Sequence, residues 1–233
     1  MMGEKRLFAI GDLHLSLAKE KPMDIFGDNW KDHSAKIKEN WLKTVDENDT
    51  VLIPGDISWA MTMEEAKNDL DFIDALPGKK ILIKGNHDYW WGSVSRLNAM
   101  YENMYFLQND CYMWGNIAIC GSRGWMMPID PKFKKEDEKI LLREVKRGQL
   151  SLDNAVKKGA ESIIFMCHYP PLYMEYQESV FTEAFEKYNI KKAVYGHLHG
   201  RENFVYAFEG NKNGIEYSLV SADYVDFMPR RII

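Results

Sequence analysis

Apolar residues are gathered into short uninterrupted runs at residues 6–10, 50–54, 80–84, 162–167 and 192–195, and each run ends in a polar cluster. Most are rich in Ile, Val or Phe, and runs of this length predict β-strands. Their continuous rather than alternating apolar character predicts strands covered on both faces, as in sheets flanked by helices. Helical spacing falls between them. Thr62 and Glu65 form a capping box ahead of Ala66, Leu70 and Ile73, and Gly78 after Leu76-Pro77 stops that segment. Further helices are predicted over 36–45, 136–147, 151–158 and 179–188. Two hairpins are expected, one turning at Gly115-Asn116 and one pairing 204–208 with 215–220 around a Gly- and Asn-rich loop at 210–214. Strand and helix alternate in the first half, and strands and hairpins follow. That order implies a layered α/β architecture around largely mixed sheets.

Composition narrows the class. The chain has 233 residues, 45% apolar and 28% charged, with no repeat, low-complexity tract or linker, so one domain over 1–233 is expected. A net charge of −5 argues against a broad basic face for gripping nucleic acid. Cys111, Cys120 and Cys167 are scattered, odd in number and without a C-x-x-C pair. A reducing, cytoplasmic compartment is the expectation, and a thiolate zinc site is not. The first apolar stretch is too short for a signal-peptide core, and no run approaches the roughly 18 apolar residues of a membrane span.

The polar clusters carry the chemistry. They read Gly11-Asp12-Leu13-His14, Gly55-Asp56, Gly85-Asn86-His87-Asp88, Cys167-His168 and Gly196-His197-Leu198-His199. In α/β sheets ligands bind at the carboxyl ends of strands, so five separate segments are brought to one edge. Asp12, His14, Asp56, Asn86, His168, His197 and His199 offer hard oxygen and imidazole nitrogen donors, a set suited to Mn²⁺, Fe, Zn²⁺ or Co²⁺. Seven side chains exceed the needs of one ion with open positions. They suit two ions sharing a carboxylate.

In this order the blocks resemble the signature of the calcineurin-like metallophosphoesterases: GD-x-H, GD, GNH followed by Asp or Glu, a lone His, and GH-x-H. All five are present between residues 11 and 199. The resemblance implies a four-layer α/β/β/α sandwich, two mixed β-sheets flanked by helices, with the ions at one sheet edge. It implies that Asp12, His14 and His199 hold one metal, that Asn86, His168 and His197 hold the second, and that Asp56 bridges them. His87 is then no ligand but the proton donor to the leaving oxygen, with Asp88 orienting its ring. The implied cofactors are two divalent ions, with manganese favoured over Fe, Zn and Co. Such ions sit roughly 3.5–4 Å apart, and a water between them is activated as the hydroxide that attacks phosphorus. Asp12 and Asp56 against two dications leave a local charge of about +2, so an acidic protein still attracts phosphate.

Outside the motifs, Arg123, Trp59 and Trp91 are candidate substrate contacts, through a bidentate guanidinium or through stacking. His33 matches no block and reads as an ordinary surface or helix-start residue. Segments 15–40, 122–133 and 169–177 are the expected pocket walls, and their Trp, Met and Tyr with scattered Lys and Arg favour a small or medium organic phosphate. Nothing in the chain speaks to oligomeric state. The alternatives are a nuclease of the DNA-repair branch, which this acidic chain without a basic stripe disfavours, a protein serine/threonine phosphatase, for which the chain is short, and a non-catalytic binding scaffold, which the intact ligand set disfavours. Neither nucleic acid nor membrane is an expected partner.

Overall fold

The computed structural model describes residues 5–18, 21–176 and 178–233; residues 19, 20 and 177, which fall in two of the expected pocket walls, lie outside the described residues. In chain order the first half runs β1 (Leu7–Ala9), α1 (His33–Thr44), β2 (Thr50–Ile53), α2 (Met63–Asp74), β3 (Lys79–Leu82), α3 (Val94–Asn98) and β4 (Met104–Phe106). The second half runs β5 (Tyr112–Trp114), β6 (Ile117–Ser122), α4 (Lys135–Lys157), β7 (Ser162–Cys167), α5 (Val180–Phe185), β8 (Ile190–Tyr195), α6 (Arg201–Phe204), β9 (Gly210–Lys212), β10 (Ile215–Leu219) and β11 (Arg230–Arg231).

The strands form two mixed sheets, ordered β11-β1-β2-β3-β4 and β5-β6-β7-β8-β10-β9. Within each, the central strands are parallel, and β11, β5 and β9 pair antiparallel at the edges. The period-2 geometry of a strand assigns each apolar run to two cores at once. Leu7, Ala9, Leu52 and Ile81 face the second sheet and meet Ile119, Ile164, Met166 and Val194. Phe8, Val51, Ile53 and Leu82 face the other way, onto Ile37 and Trp41 of α1 and Ala66, Leu70 and Ile73 of α2. On the far side, Ala118, Ile163, Phe165 and Tyr195 pack on Leu141 and Leu152 of α4 and on Phe181 and Phe185 of α5. Three apolar layers thus separate four layers of secondary structure, the α/β/β/α order. No helix among the described residues is long and apolar enough to cross a membrane.

Two expectations are corrected. The helices expected over 136–147 and 151–158 are one helix, α4, running unbroken through Gly148. A Cβ there would meet Phe165 Cζ at 3.1 Å, so Gly148 marks close helix–sheet packing, and burial of the helix face outweighs the cost of about 1 kcal/mol for an internal glycine. Segment 204–208 is not a strand: α6 ends at Phe204, and the hairpin pairs β9 with β10 through Lys212↔Ile215. Its loop shrinks to Asn213-Gly214, both at positive φ (53° and 78°), the two-residue turn whose twist matches the strands. Short β4, α3 and β11 carry too few residues for a period to be read.

Candidate metal centre

Parallel strands place their carboxyl ends on one edge, and the loops leaving that edge are tied to one another. Gly11 N–H donates to Val220 O at 2.7 Å, Asp12 N–H to Gly55 O at 2.9 Å and His14 N–H to Asp56 O at 3.0 Å. The chain must turn sharply as each strand ends, and Asp12, His14, Asp56 and His197 adopt positive φ (55°, 45°, 50° and 74°) to do so. Such a backbone costs on the order of 1–3 kcal/mol per non-glycine residue, and strain of this kind concentrates at functional sites. A Cβ on Gly85 would collide with Asp56 Oδ1 and the Asp56 backbone nitrogen, and one on Gly196 with Asp12 Oδ2, so a side chain at either position would displace a carboxylate of the site.

The loops bring the ligand-type side chains into two adjoining groups, Asp12 with His14 and His199, and Asp56 with His168 and His197. In the first, His14 Nε2 lies 3.1 Å from His199 Nε2, which lies 3.4 Å from Asp12 Oδ1. In the second, His168 Nε2 is 2.7 Å from Asn86 Oδ1, 3.3 Å from His197 Nδ1 and 3.5 Å from Asp56 Oδ2. The same Asp56 oxygen is 3.7 Å from His14 Nε2, so it reaches both groups. His168 Nδ1 donates to Pro54 O at 3.0 Å, which turns the lone pair of Nε2 inward. His199 is oriented likewise by Asp223, whose Oδ1 lies 3.1 Å from Nδ1 and whose Oδ2 accepts from Gly200 N–H at 2.9 Å.

Electrostatics tests whether this set fits cations. Burial, then the charges of Asp88 and Asp12, pushes the Asp56 carboxyl well above its ordinary range. Burial holds His14, His168 and His197 well below the ordinary imidazole value. His199 alone is raised, to about 10, because the charge of Asp12 and hydrogen bonds to Asp12 and Asp223 outweigh its burial. Three imidazoles held neutral beside two buried carboxylates make a nitrogen and oxygen donor set, with the three cysteines buried elsewhere. Those are the properties of a divalent-metal site.

The remaining sequence candidates divide. The half-buried His87 ring lies against Trp59, centroids 4.3 Å apart, and 5.8 Å from His14. Trp59 also stacks on His14 at 4.8 Å, so it packs the imidazoles beside the centre. Asp88 does not orient the His87 ring. Its buried carboxylate accepts from the N–H groups of Ile57 (2.9 Å), Ser58 (3.2 Å) and Gly85 (2.7 Å) and from Trp90 Nε1 (3.1 Å), and so pins two ligand loops together. Burial, opposed by these bonds, raises it to about 6. Arg123 pairs through one guanidinium nitrogen with buried Glu144 at 3.2 Å and lies over Trp125. Trp91 is a core residue against Trp90 and Phe106.

Three residues at the site had no motif to mark them. Asp223 orients His199, and Tyr169 lies on His197 with centroids 3.9 Å apart. His33 starts α1, as one of its two expected readings has it, and from there it bridges Trp30 O and His14 O, both at 3.2 Å, half-buried against the first loop of the site.

Comparison with known proteins places this geometry. The chain is 36% identical to the Gene 66 protein of Mycobacterium phage L5 over 77 residues, 33% of this chain and 37% of the phage protein. Its fold is similar to that of AQ665, a protein of unknown function from Aquifex aeolicus (TM-score 0.50, 20% identity, 98% and 96% of the two chains covered). It is also similar to that of the phosphopantetheinyl hydrolase PptH from Mycobacterium tuberculosis (TM-score 0.53, 14% identity, 99% and 96% covered). The family model for calcineurin-like phosphoesterases matches residues 5–201, which contain every ligand of both groups. The chain spans about a third of the length of the phage relative and belongs to the calcineurin-like phosphoesterase family.

Proposed function

We propose that the chain hydrolyses a small or medium organic phosphate ester at two divalent ions, one held by Asp12, His14 and His199 and the other by Asn86, His168 and His197. The observation that carries this reading is Asp56 Oδ2, within 3.7 Å of a ligand nitrogen in each group and so able to serve both. Ions bound there supply Lewis acidity toward the phosphoryl oxygens and lower the pKa of water toward neutrality. The protein does the rest. Pro54 O and Asp223 hold two imidazoles with their lone pairs inward. The Asp88 carboxylate fixes the loop that carries Asn86 and His87. His87, packed on Trp59 and beside His14, is the proton donor to the leaving oxygen.

The donor set contains no thiolate, and manganese is the favoured ion. Three free, buried cysteines support a reducing cytoplasmic location. A net charge of −5 disfavours nucleic acid as substrate. The test is Asp56→Asn, assayed with Mn²⁺ on p-nitrophenyl phosphate and its bis ester while bound metal is counted. Turnover is expected to fall by at least about a hundredfold and metal content to fall below that of the parent protein, because the bridging charge is gone. Near-parental turnover with undiminished metal overturns the reading.

A further inference from the structure

A groove with a volume of about 360 Å³ is lined in part by His197 of the second ligand-type group. That is within the range of small-ligand pockets, roughly 300–1,000 Å³. Its walls are the segments after β6, β7 and β8: Ile129 and Asp130, then Tyr173 and Glu175, then Tyr206. They form a hydrogen-bonded frame, because Met174 N–H donates to Tyr206 O at 3.0 Å and Tyr173 bridges to Tyr176 and Ala207. The apolar contacts face solvent, Ile129 being 40% and Tyr206 51% exposed. Lining a concave groove, these side chains offer apolar contact beside its polar groups.

The charge of the groove is one-sided. Asp130 and Glu175 line it, and no lysine or arginine does among the described residues. Asp130 Oδ1 accepts from the Lys132 N–H at 2.8 Å. A second anionic group on a substrate would be repelled here, and an N–H, O–H or ammonium group would find an acceptor.

We propose that this groove receives the organic group of the ester, and that it selects an uncharged or cationic, partly aromatic or aliphatic group bearing hydrogen-bond donors over an anionic one. The inference rests on the phosphoesterase reading and assigns its substrate class, with the phosphate toward the ligand groups and the organic end on Tyr206 and Ile129. Three aryl phosphates of matched shape test it on the Mn²⁺-loaded protein: phosphotyramine, para-ethylphenyl phosphate and the phosphate ester of para-hydroxyphenylpropanoate. Phosphate release is measured for each. The amine and ethyl esters are expected to exceed the carboxylate ester in kcat/KM by about tenfold, mostly through KM. Asp130→Asn with Glu175→Gln should bring the ratio toward unity, and Ile129→Lys, at an exposed position, should move it toward the carboxylate ester. Equal rates for the three esters, or a ratio that neither variant moves, overturn the groove assignment while leaving phosphoesterase activity standing. If none of the three is hydrolysed while p-nitrophenyl phosphate or its bis ester is, the groove assignment is overturned; if all five are silent, the phosphoesterase reading fails, and the groove is judged by calorimetric binding of the same three esters, where the same order is required and its absence overturns the proposal.

Discussion

A histidine is a defined metal ligand only when its second nitrogen is occupied, and Asp223 does this for His199 at 3.1 Å. Asp223→Asn keeps the shape but removes the charge that orients and strengthens the imidazole. Metal titration of that variant should show affinity or activity lower by roughly 10–100-fold, with the melting temperature of the metal-free protein little changed. Parental affinity would show that Asp223 has no part in ligation. No local signal could have singled out Asp223, because its partner lies 24 positions away and the two meet only through the loops after β8 and β10. The same holds for the partners of Arg123 and Trp91, Glu144 and Phe106, which lie 21 and 15 positions away. The ligands themselves were legible because their identity and the adjoining glycines are local properties of each block.

At the scale of elements, the start of β1 is fastened to the loop before β2. Asp49 accepts from the Arg6 side chain at 2.5 and 3.2 Å, from Arg6 N–H at 3.0 Å and from Asp46 N–H at 2.8 Å. Burial raises the Asp49 pKa, but the Arg6 side chain and these backbone donors outweigh it, and the carboxyl sits below its usual 3.8. A carboxyl depressed in the folded state contributes stability that is present above the unfolded-chain value and is lost as pH falls through the folded one. Urea denaturation of Asp49→Asn should therefore show lower stability at neutral pH and a shallower decline below about pH 4 than the parent. Parallel curves for the two proteins would remove Asp49 from the acid limb. Elements with long periodic segments were legible at this scale. The fusion across Gly148 and the true β9–β10 register were not, since the ring of Phe165 and the pairing across Asn213-Gly214 settle them.

Over the whole molecule, the centre joins the two halves of the chain. Asp12, Asp56 and Asn86 follow strands of the first sheet, and His168, His197 and His199 follow strands of the second. An ion held by such a set binds only the folded protein, so metal adds stability by mass action. Mn²⁺ at about 100 times its Kd contributes about 2.7 kcal/mol per site, equivalent to a rise in Tm of roughly 5–10 °C for a chain of this size. Scanning calorimetry with chelator and then with excess Mn²⁺ checks this, and an unchanged Tm with Mn²⁺, Fe²⁺, Zn²⁺ and Co²⁺ alike would refute it.

The order of apolar runs and of Gly-, Asp- and His-bearing blocks determined by itself the layered α/β class, the family and the candidate ligand set, because strand burial and donor chemistry are written in adjacent residues. Which oxygen stands between the groups, which carboxylate pins the loops, which arginine is already paired and how the groove beside His197 is charged were decided only in the folded chain. Each of those depends on residues far apart in sequence, and packing of the two sheets alone brings them within hydrogen-bonding distance.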